Sequence, residues 1–488
     1  MSSASALVSK VWSLAHVLRD DGVSYGDYLE QITLLVFLKM AQEDFEFASD
    51  MGIEARTNVP EELSWAALRS LDGAPLEGFY RSVLNTLGTQ KGLLGTIFRK
   101  AQNKIQDPAK LKRVISMIEA ESWRALDVDV KGEIYEGLLE RNAKDIKSGA
   151  GQYFTPRPLI DAMVLVCRPQ LGYKIADPAC GTAGFLIAAH QFILSSKQNL
   201  NAEQRRVLRE EMFFGVDIVD SVVRLAAMNM YLHGIGGEAE SLVRADDSLR
   251  SKPSTLVDLV LTNPPFGKKS SIRIINEEGD EEREALTYSR DDFWATTSNK
   301  QLNFVQHIVN MLKIGGLAAV VLPDNVLFEG GTGETIRKNL LKTCDVHTLL
   351  RLPTGIFYAQ GVKANVLFFE RKAGSDTAQT QQLWVYDLRT NQHFTLKENP
   401  LLPKHLTDFI ACYNPENRFE RFETERFKAF SYFDLMARDK ANLDIFWLRD
   451  ESLEESDNLP APSILAGEIM DDLESAMTAF SNVAESLN

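Results

Sequence analysis

Four apolar segments between residues 174 and 266 each run into glycine, proline or an acid, and no other feature of the chain constrains the fold as strongly. Helical segments separate them at the spacing of successive βα units. One strand-to-helix turn collects such residues in any α/β protein, but four in succession predict a nucleotide-binding α/β fold. In open sheets of this kind, ligands bind at the carboxyl ends of the strands.

The first three segments supply glycines and acids at those strand ends. Residues 174–186 predict a short strand, a tight glycine turn and a helix that begins near Ala183. The full G-x-G-x-x-G pattern is missing, so a dinucleotide site is only weakly indicated. The second segment ends in Asp217, at the position that binds ribose hydroxyls in such folds, and the third ends in Asp246 and Asp247.

The fourth segment, residues 256–266, is predicted to be a buried strand that ends in Asn263-Pro264-Pro265-Phe266. Pro264 has no N–H to donate to a sheet, and it restricts Asn263 to an extended conformation. An amide, a carbonyl and an aromatic ring are thus fixed at a strand end. A turn that merely closes a core strand is the alternative interpretation.

A second proline-bearing segment lies upstream, just before a helix predicted over residues 159–167. Its residues are Gln152, Tyr153, Phe154, Thr155, Pro156, Arg157 and Pro158. Helix N-termini present N–H groups without intrahelical partners and a positive dipole end. Thr155 is placed either to cap this helix or to bind a carboxylate.

Length and periodicity predict three regions, because 488 residues exceed one ordinary core. Residues 1–140 are predicted to form an N-terminal helical domain for interaction or DNA contact. Residues 141–400 carry the α/β pattern, and residues 401–488 end in a helix.

Apolar residues of that C-terminal helix follow an a/d spacing: Ile469, Leu473, Ala476, Phe480, Val483 and Leu487. A seam this short predicts docking on a partner helix or packing on its own domain.

Two further segments have weaker signals. The polar stretch 267–299 follows the tetrapeptide directly, and it is interpreted either as a flap over the site or as a disordered surface loop. Residues 383–388 are predicted to be one strand of a small hairpin that closes the α/β domain.

Composition limits the partners and the compartment. The net charge of −15 does not favour tight DNA binding by this chain alone, because duplex binding depends on Lys and Arg that neutralise phosphates. The four cysteines are scattered and the seven histidines lack ligand spacing, which predicts a reducing compartment and no metal. No signal peptide or membrane-length apolar run is recognisable, which predicts a cytoplasmic protein.

The chain resembles the modification subunits of type I restriction–modification systems, which are N6-adenine DNA methyltransferases. Three motifs carry the resemblance, in the order found in the γ class: Gly151-Gln-Tyr-Phe-Thr-Pro156, Asp177-Pro-Ala-Cys-Gly-Thr-Ala-Gly184 and Asn263-Pro-Pro-Phe266. The similarity extends over essentially the whole chain. It implies a Rossmann-like S-adenosylmethionine-dependent methyltransferase domain with an N-terminal helical domain and a C-terminal helical tail.

Carried over residue by residue, the resemblance implies a catalytic set and a cofactor set. The catalytic residues would be Asn263, Pro264, Pro265 and Phe266. The residues that bind S-adenosyl-L-methionine would be Gln152, Tyr153, Phe154, Thr155, Pro156, Arg157, Asp177, Gly181, Thr182, Ala183, Gly184, Asp217 and Asp247. Residues 152–157 would lie at the methionine end, Asp217 at the ribose, and Asp247 at the adenine, with Asp246 as the alternative acid.

The chemistry of adenine accounts for the tetrapeptide separately. The exocyclic amine is a poor nucleophile because its lone pair is delocalised into the ring, and the base must be flipped out of the duplex to be reached. The side-chain oxygen of Asn263 and the carbonyl oxygen of Pro264 would accept its two N–H groups at roughly 3 Å. Phe266 would stack on the base for about 1–3 kcal/mol. Oriented dipoles of this kind act where charge develops.

The resemblance also implies the partners of such a complex. These are double-stranded DNA, a DNA-specificity subunit, a restriction subunit with nuclease and translocase activity, and a second copy of the chain, with no membrane. Three alternatives stay open: an N4-cytosine DNA methyltransferase, a glutamine methyltransferase acting on protein, and a catalytically silent scaffold.

Overall fold

The computed structural model describes most of the chain between residues 25 and 449. The described residues are 25–52, 59–123, 135–139, 155–197, 199–237, 241–266, 271–275, 281–285, 288, 290–357, 362–396, 398–449, 466–467, 469–470, 473 and 477. They form two compact units, one within residues 1–151 and 168–262 and one within residues 152–167 and 263–488. The division into domains at residues 140 and 400 stays a prediction.

The helices and strands have the following bounds. The α-helices are α1 (Tyr25–Met51), α2 (Trp65–Ser70), α3 (Gly73–Leu87), α4 (Gly92–Phe98), α5 (Pro108–Glu119), α6 (Arg157–Cys167), α7 (Gly184–Ser196), α8 (Ala202–Glu210), α9 (Asp220–Leu232), α10 (Lys300–Met311), α11 (Asn325–Phe328), α12 (Thr332–Thr343), α13 (Thr407–Tyr413) and α14 (Tyr432–Ala437). The strands are β1 (Ile175–Asp177), β2 (Phe213–Asp217), β3 (Val243–Ala245), β4 (Val257–Thr262), β5 (Ser271–Ile275), β6 (Glu281–Ala285), β7 (Leu312–Pro323), β8 (Cys344–Arg351), β9 (Ala364–Arg371), β10 (Gln382–Asp387) and β11 (Phe427–Ser431). Short 3-10 helices lie at Glu61–Leu63, Pro403–Leu406 and Asp439–Ala441.

The first unit combines a helical region, α1 to α5, with a parallel sheet. Its strands lie in the order β4-β1-β2-β3, and α7, α8 and α9 lie between them in the chain. Side chains cap the N-termini of α2, α3, α5 and α8. For example, the Asp107 carboxylate accepts hydrogen bonds from the first turn of α5, where Pro108 occupies a position that needs no N–H.

A buried ion pair joins the helical region to the sheet region of this unit. Arg224 on α9 lies 2.7 Å from the carboxylate of Glu30 on α1, and both residues are buried. The same guanidinium donates to the carbonyl oxygen of Arg99 at 2.7 Å. Burial raises the pKa of Glu30, against the opposing effect of Arg224. Removing one member of such a pair costs about 3–5 kcal/mol, so the contact fixes how α1 sits on α9.

The second unit contains a mixed sheet in the order β11-β10-β8-β9-β7. β9 is antiparallel to both of its neighbours, whereas β8 and β10 run parallel to each other. A fully buried arginine, Arg351 at the end of β8, donates to Asp444 at 2.7 Å and stacks over the ring of Phe446. These contacts hold the segment around residues 443–446 against the sheet.

Three features of the second unit differ from the sequence expectations. β8 was not predicted, because its buried positions include the polar residues His347 and Thr348. Residues 383–388 do not belong to a local hairpin: β10 pairs with β8 in parallel and with the distant β11 in antiparallel fashion. Residues 271–275 and 281–285, inside the supposed loop, pair as antiparallel strands.

The predicted apolar strands β1, β2 and β4 and the predicted helices α6 and α7 are confirmed, and α1 to α5 agree with the helical character predicted for the N-terminal region. Residues 1–24 of the predicted helical region lie outside the described residues, as does most of the C-terminal seam. Within the ranges given above, no helix is long and apolar enough to cross a membrane.

Replacing each of two helical glycines by alanine distinguishes the effect of packing on stability from the effect of helix propensity. A Cβ added to Gly78 in α3 meets nothing within 4 Å, whereas one on Gly95 in α4 would lie 1.8 Å from the carbonyl oxygen of Gln90. Propensity alone favours alanine by about 1 kcal/mol at each site. We expect Gly78→Ala to raise the free energy of unfolding in chemical denaturation and Gly95→Ala to lower it by more than about 1 kcal/mol. Stabilisation by both substitutions would contradict this packing of α4.

Candidate active site

In the first unit, the acid at the end of β2 holds the glycine turn that follows β1. One carboxylate oxygen of Asp217 accepts a hydrogen bond from the N–H of Gly181 at 3.2 Å, and the other accepts from the N–H of Val219 at 2.9 Å. Burial raises the pKa of Asp217, and these backbone donors oppose that effect. Gly181 and Asp217, which the sequence placed at neighbouring strand ends, therefore lie in direct contact.

Two residues of the turn have left-handed backbone conformations. Gly181 and Ala183 have positive φ angles of 52° and 66°, and Ala183 immediately precedes α7. The carbonyl oxygen of Thr182 accepts a hydrogen bond from the side chain of Asn229 on α9 at 2.8 Å, and this bond fixes the turn to α9. A turn of this shape leads the chain into a helix N-terminus, where backbone N–H groups favour anionic ligands.

The acid pair after β3 is bound in two different ways. The carboxylate of Asp246 forms an ion pair with Arg250 and accepts from the N–H of Asp247 at 2.8 Å. The carboxylate of Asp247 accepts from the N–H of Leu249 at 2.9 Å. The N–H of Asp246 donates to the carbonyl oxygen of Asp217 at 3.0 Å, so this loop and the end of β2 lie side by side.

Asp177, at the end of β1, is almost fully buried. Its carboxylate accepts from the N–H of Ala179 at 3.0 Å, within the start of the glycine turn. Burial raises the pKa of Asp177 to about 7. This acid therefore shapes the turn from inside the protein.

In the second unit, the tetrapeptide begins with a buried amide. Asn263 is 7% exposed, and its side-chain nitrogen Nδ2 donates to the hydroxyl oxygen Oγ1 of Thr155 at 2.9 Å. Thr155 is likewise 7% exposed. The carbonyl oxygen of Pro156 accepts from the N–H groups of Leu159 and Ile160 in the first turn of α6. The alternative roles of Thr155, as a side-chain cap of this helix or as a ligand of a carboxylate, stay predictions.

Two residues that the sequence did not single out hold the rest of the tetrapeptide. The side chain of Gln301, at the start of α10, donates to the carbonyl oxygen of Pro265 at 3.2 Å. Phe357 packs edge-on against Phe266, with 5.7 Å between ring centroids and 82° between ring planes. Neither residue lies in a recognisable motif, and only the fold brings them to Pro265 and Phe266.

The upstream segment is described only in part. Gln152, Tyr153 and Phe154 lie outside the described residues. Arg157 forms an ion pair with Asp161 one turn later on α6, at 2.9 Å. In the part of the chain that the structure describes, no cluster of three His, Cys, Asp or Glu side chains has the geometry of a metal site.

Comparison with known proteins gives consistent matches over nearly the whole chain. The N-6 DNA methylase family matches residues 126–445, and the HsdM N-terminal domain family matches residues 7–118. The StySJI type I restriction enzyme methylase subunit of Salmonella typhimurium is 38% identical over 515 residues, covering 96% of this chain and 93% of that protein. The EcoKI methylase subunit of Escherichia coli K12 is 37% identical over 516 residues, covering 97% and 93%.

A solved structure extends the match to the fold. The crystal structure of the EcoKI M protein aligns with a TM-score of 0.55 and 33% identity, covering 99% of this chain and 96% of that one. The α/β architecture with a helical N-terminal region, which the sequence predicted, is therefore confirmed.

The raised pKa of Asp177 predicts a pH dependence of stability. The folded chain keeps a proton on this carboxyl up to about pH 7, whereas the unfolded chain loses it near the ordinary value of 3.8. The protonated carboxyl therefore contributes fully to the free energy of unfolding below the unfolded-state pKa of 3.8, and this contribution is lost as the pH rises to the folded-state pKa of about 7. Asp177→Asn keeps an oxygen for the N–H of Ala179 but cannot titrate.

We therefore expect the melting temperature of the wild type, relative to Asp177→Asn, to fall between about pH 4 and about pH 7 and to level off above that range. The buried His190 and His307, whose pKa values burial lowers, titrate in both proteins and cancel in the difference. A difference that is constant with pH would contradict the protonated state of Asp177.

Proposed function

This chain belongs to the N-6 DNA methylase family, as a methylase subunit of a type I restriction enzyme, and on that premise we propose which residues bind the cofactor and which act on adenine. It is a site-specific, S-adenosylmethionine-dependent adenine DNA methyltransferase. The residue roles below go beyond family membership and are supported by the geometry of each unit.

The cofactor residues of the first unit are Asp177, Gly181, Thr182, Ala183, Gly184, Asp217 and Asp247. Gly181 and Ala183 have positive φ angles, and a Cβ added to Gly181 would meet nothing within 4 Å, so a ligand could approach the backbone closely at this turn. Asp217 is proposed to accept from the ribose hydroxyls, and Asp247 lies on the neighbouring loop, toward the adenine. When bound, S-adenosylmethionine supplies an electrophilic methyl group on a sulfonium.

The second unit contributes Thr155, Pro156 and Arg157, and the proposal extends to Gln152, Tyr153 and Phe154. These residues would meet the methionine end of the cofactor. Arg157 already forms an ion pair with Asp161. We therefore propose that its guanidinium orients the carboxylate of the cofactor by hydrogen bonding, rather than binding it as an isolated positive charge.

The catalytic proposal rests on the buried amide of Asn263. Because its nitrogen Nδ2 is directed at Thr155, the opposite end of the amide presents the oxygen Oδ1. Oδ1 and the carbonyl oxygen of Pro264 are proposed to accept the two N–H groups of the flipped adenine. Drawing both hydrogens to one side moves the amine nitrogen toward tetrahedral geometry and frees its lone pair. No strong base is needed, because the cationic amine formed in transfer is acidic.

Asn263→Ala removes one acceptor without touching the glycine turn of the first unit. We expect methyl transfer to fall by a factor of at least about 100, since preorganised hydrogen-bonding groups contribute on that scale. The assay is tritiated methyl transfer to unmodified cognate DNA, with nucleoside analysis of the product. Cofactor affinity, measured by calorimetry, should change little. A large loss of cofactor binding, or a product other than N6-methyladenine, would contradict the assignment.

Phe266 is proposed to stack on the extruded base, supported from its edge by Phe357. Phe266→Ala should weaken productive DNA binding by about 10- to 100-fold, in line with about 1–3 kcal/mol of base stacking. Phe266→Tyr keeps the aromatic face and serves as the matched control. Steady-state kinetics with varied DNA concentration distinguish this effect from a loss in maximal turnover. Equal activity of the alanine and tyrosine variants would remove the stacking role.

We infer further that the chain acts in the cytoplasm on double-stranded DNA, within a complex. The proposed members are a DNA-specificity subunit, a second copy of the chain and a restriction subunit. Two observations support this. The net charge of −15 is a poor match to a phosphate backbone. Ile469 and Leu473 of the C-terminal seam are 58% and 59% exposed in the single chain, as expected of a helix that awaits a partner.

The partner proposal has a direct test. We expect methylation of cognate DNA only when the chain is co-expressed with its specificity subunit. Ile469→Glu with Leu473→Glu should prevent co-purification of that subunit while leaving cofactor affinity unchanged. Full activity of the isolated chain would contradict the need for a partner, and normal assembly of the double variant would place the contact elsewhere.

A further inference from the structure

We propose that Thr155 is a positioning residue, which fixes the end of the Asn263 side-chain amide that meets the amine of the substrate. The inference rests on the proposed role of Asn263 as an acceptor. It assigns Thr155 a function beyond the cofactor contact suggested by its sequence motif.

The observation is a single buried hydrogen bond between residues 108 positions apart in the chain. Nδ2 of Asn263 donates to Oγ1 of Thr155 at 2.9 Å, and both side chains are 7% exposed. Thr155 is β-branched and precedes Pro156, so its own side chain has few orientations available. A rigid acceptor therefore faces one end of the Asn263 amide.

An asparagine amide needs such a neighbour because its two ends have nearly the same shape and opposite chemistry. One end accepts hydrogen bonds and the other donates them. A half-turn about the terminal side-chain bond would place N–H groups where the adenine amine also presents N–H groups. The substrate would then lose an acceptor and meet a donor.

Thr155 distinguishes these two orientations. In the orientation found, Nδ2 donates to Oγ1. In the flipped orientation, the hydroxyl could bond to the amide oxygen only by donating its own hydrogen. When that hydrogen is donated to the cofactor, as in the contact proposed for Thr155, the flipped amide would set oxygen against oxygen and is disfavoured. A buried hydrogen bond of ordinary strength, together with the penalty for leaving a donor unsatisfied, corresponds to a population ratio of about 10 to 100. Thr155 would thereby raise the fraction of enzyme molecules with a competent amide, rather than the affinity for either ligand.

This role is compatible with a cofactor contact, because a hydroxyl that accepts one hydrogen bond can still donate its own hydrogen. The two roles predict different kinetics. A positioning role changes the maximal turnover at saturating cofactor and DNA, whereas a cofactor contact changes the cofactor concentration needed for saturation.

Thr155→Val and Thr155→Ser form the matched pair for this test. Valine keeps the branched shape and lacks the acceptor oxygen, whereas serine keeps the oxygen. In the full chain with its specificity subunit, we expect Thr155→Val to lower kcat by about 10- to 100-fold. Thr155→Ser should keep kcat within about threefold of the wild type, because it retains the hydroxyl. Thr155→Val also removes any cofactor contact of that hydroxyl, so kcat is measured at saturating S-adenosylmethionine and the Kd of the cofactor is determined separately. If Thr155→Val does not fold, Thr155→Ala provides the same comparison.

A second substitution isolates the orientation effect. In Asn263→Asp the carboxylate has two acceptor oxygens, so neither end needs to be selected. The loss caused by Thr155→Val should therefore shrink to less than about threefold in the Asn263→Asp background. If Asn263→Asp has no measurable turnover, the valine and serine comparison decides the question alone.

Two outcomes would overturn the inference: wild-type kcat in Thr155→Val, or a raised Kd for the cofactor with kcat unchanged at saturation, which would make Thr155 only a cofactor residue. Failure of the proposed function looks different, because Asn263→Ala would then keep its activity whatever residue occupies position 155.

Discussion

Polar groups buried at the ends of apolar strands must find hydrogen-bond partners, and this requirement organises the candidate residues within each unit. Burial of an unsatisfied polar group costs about 1–3 kcal/mol, which is a large share of the stability of a domain. In the first unit, Asp177 and Asp217 meet backbone N–H groups of the adjacent turns. In the second unit, Asn263 meets a threonine. Each polar residue is thereby held in one geometry by the same bond that makes its burial tolerable.

This requirement explains why the glycine turn and the second acid form one structural element. Both carboxylate oxygens of Asp217 accept from backbone N–H groups, one from Gly181 in the glycine turn and one from Val219 two residues further along. A loop held in this way keeps its shape without a ligand, so less conformational freedom has to be lost on binding. The helix that follows Asp217 is in turn fixed to the helical region through Arg224 and Glu30. The same unit thus links a buried ion pair to the loop that is proposed to bind ribose.

Sequence reasoning succeeded where the signal was local. β1, β2 and β4 are short apolar runs bounded by Gly, Asp or Pro, and the helices that follow β1 and β2 begin where the turns end. β8 escaped prediction because His347, Thr348 and Arg351 are buried in it, and a pattern that counts polar residues as exposed cannot identify such a strand. The partner of β10, β11, lies about forty residues further along, beyond any hairpin signal.

The parts of the candidate site that the sequence did not reveal are contacts between distant segments. Gln301 and Phe357 hold Pro265 and Phe266, yet neither belongs to a motif that could have identified it. Thr155 was singled out as a helix cap or a ligand of a carboxylate, and as a cofactor residue, but not as a partner of Asn263. A motif shows that a residue type is required, whereas its role depends on which group faces it after folding. For Thr155 that group is the amide on which methyl transfer is proposed to depend, which lies 108 residues downstream and follows a buried strand.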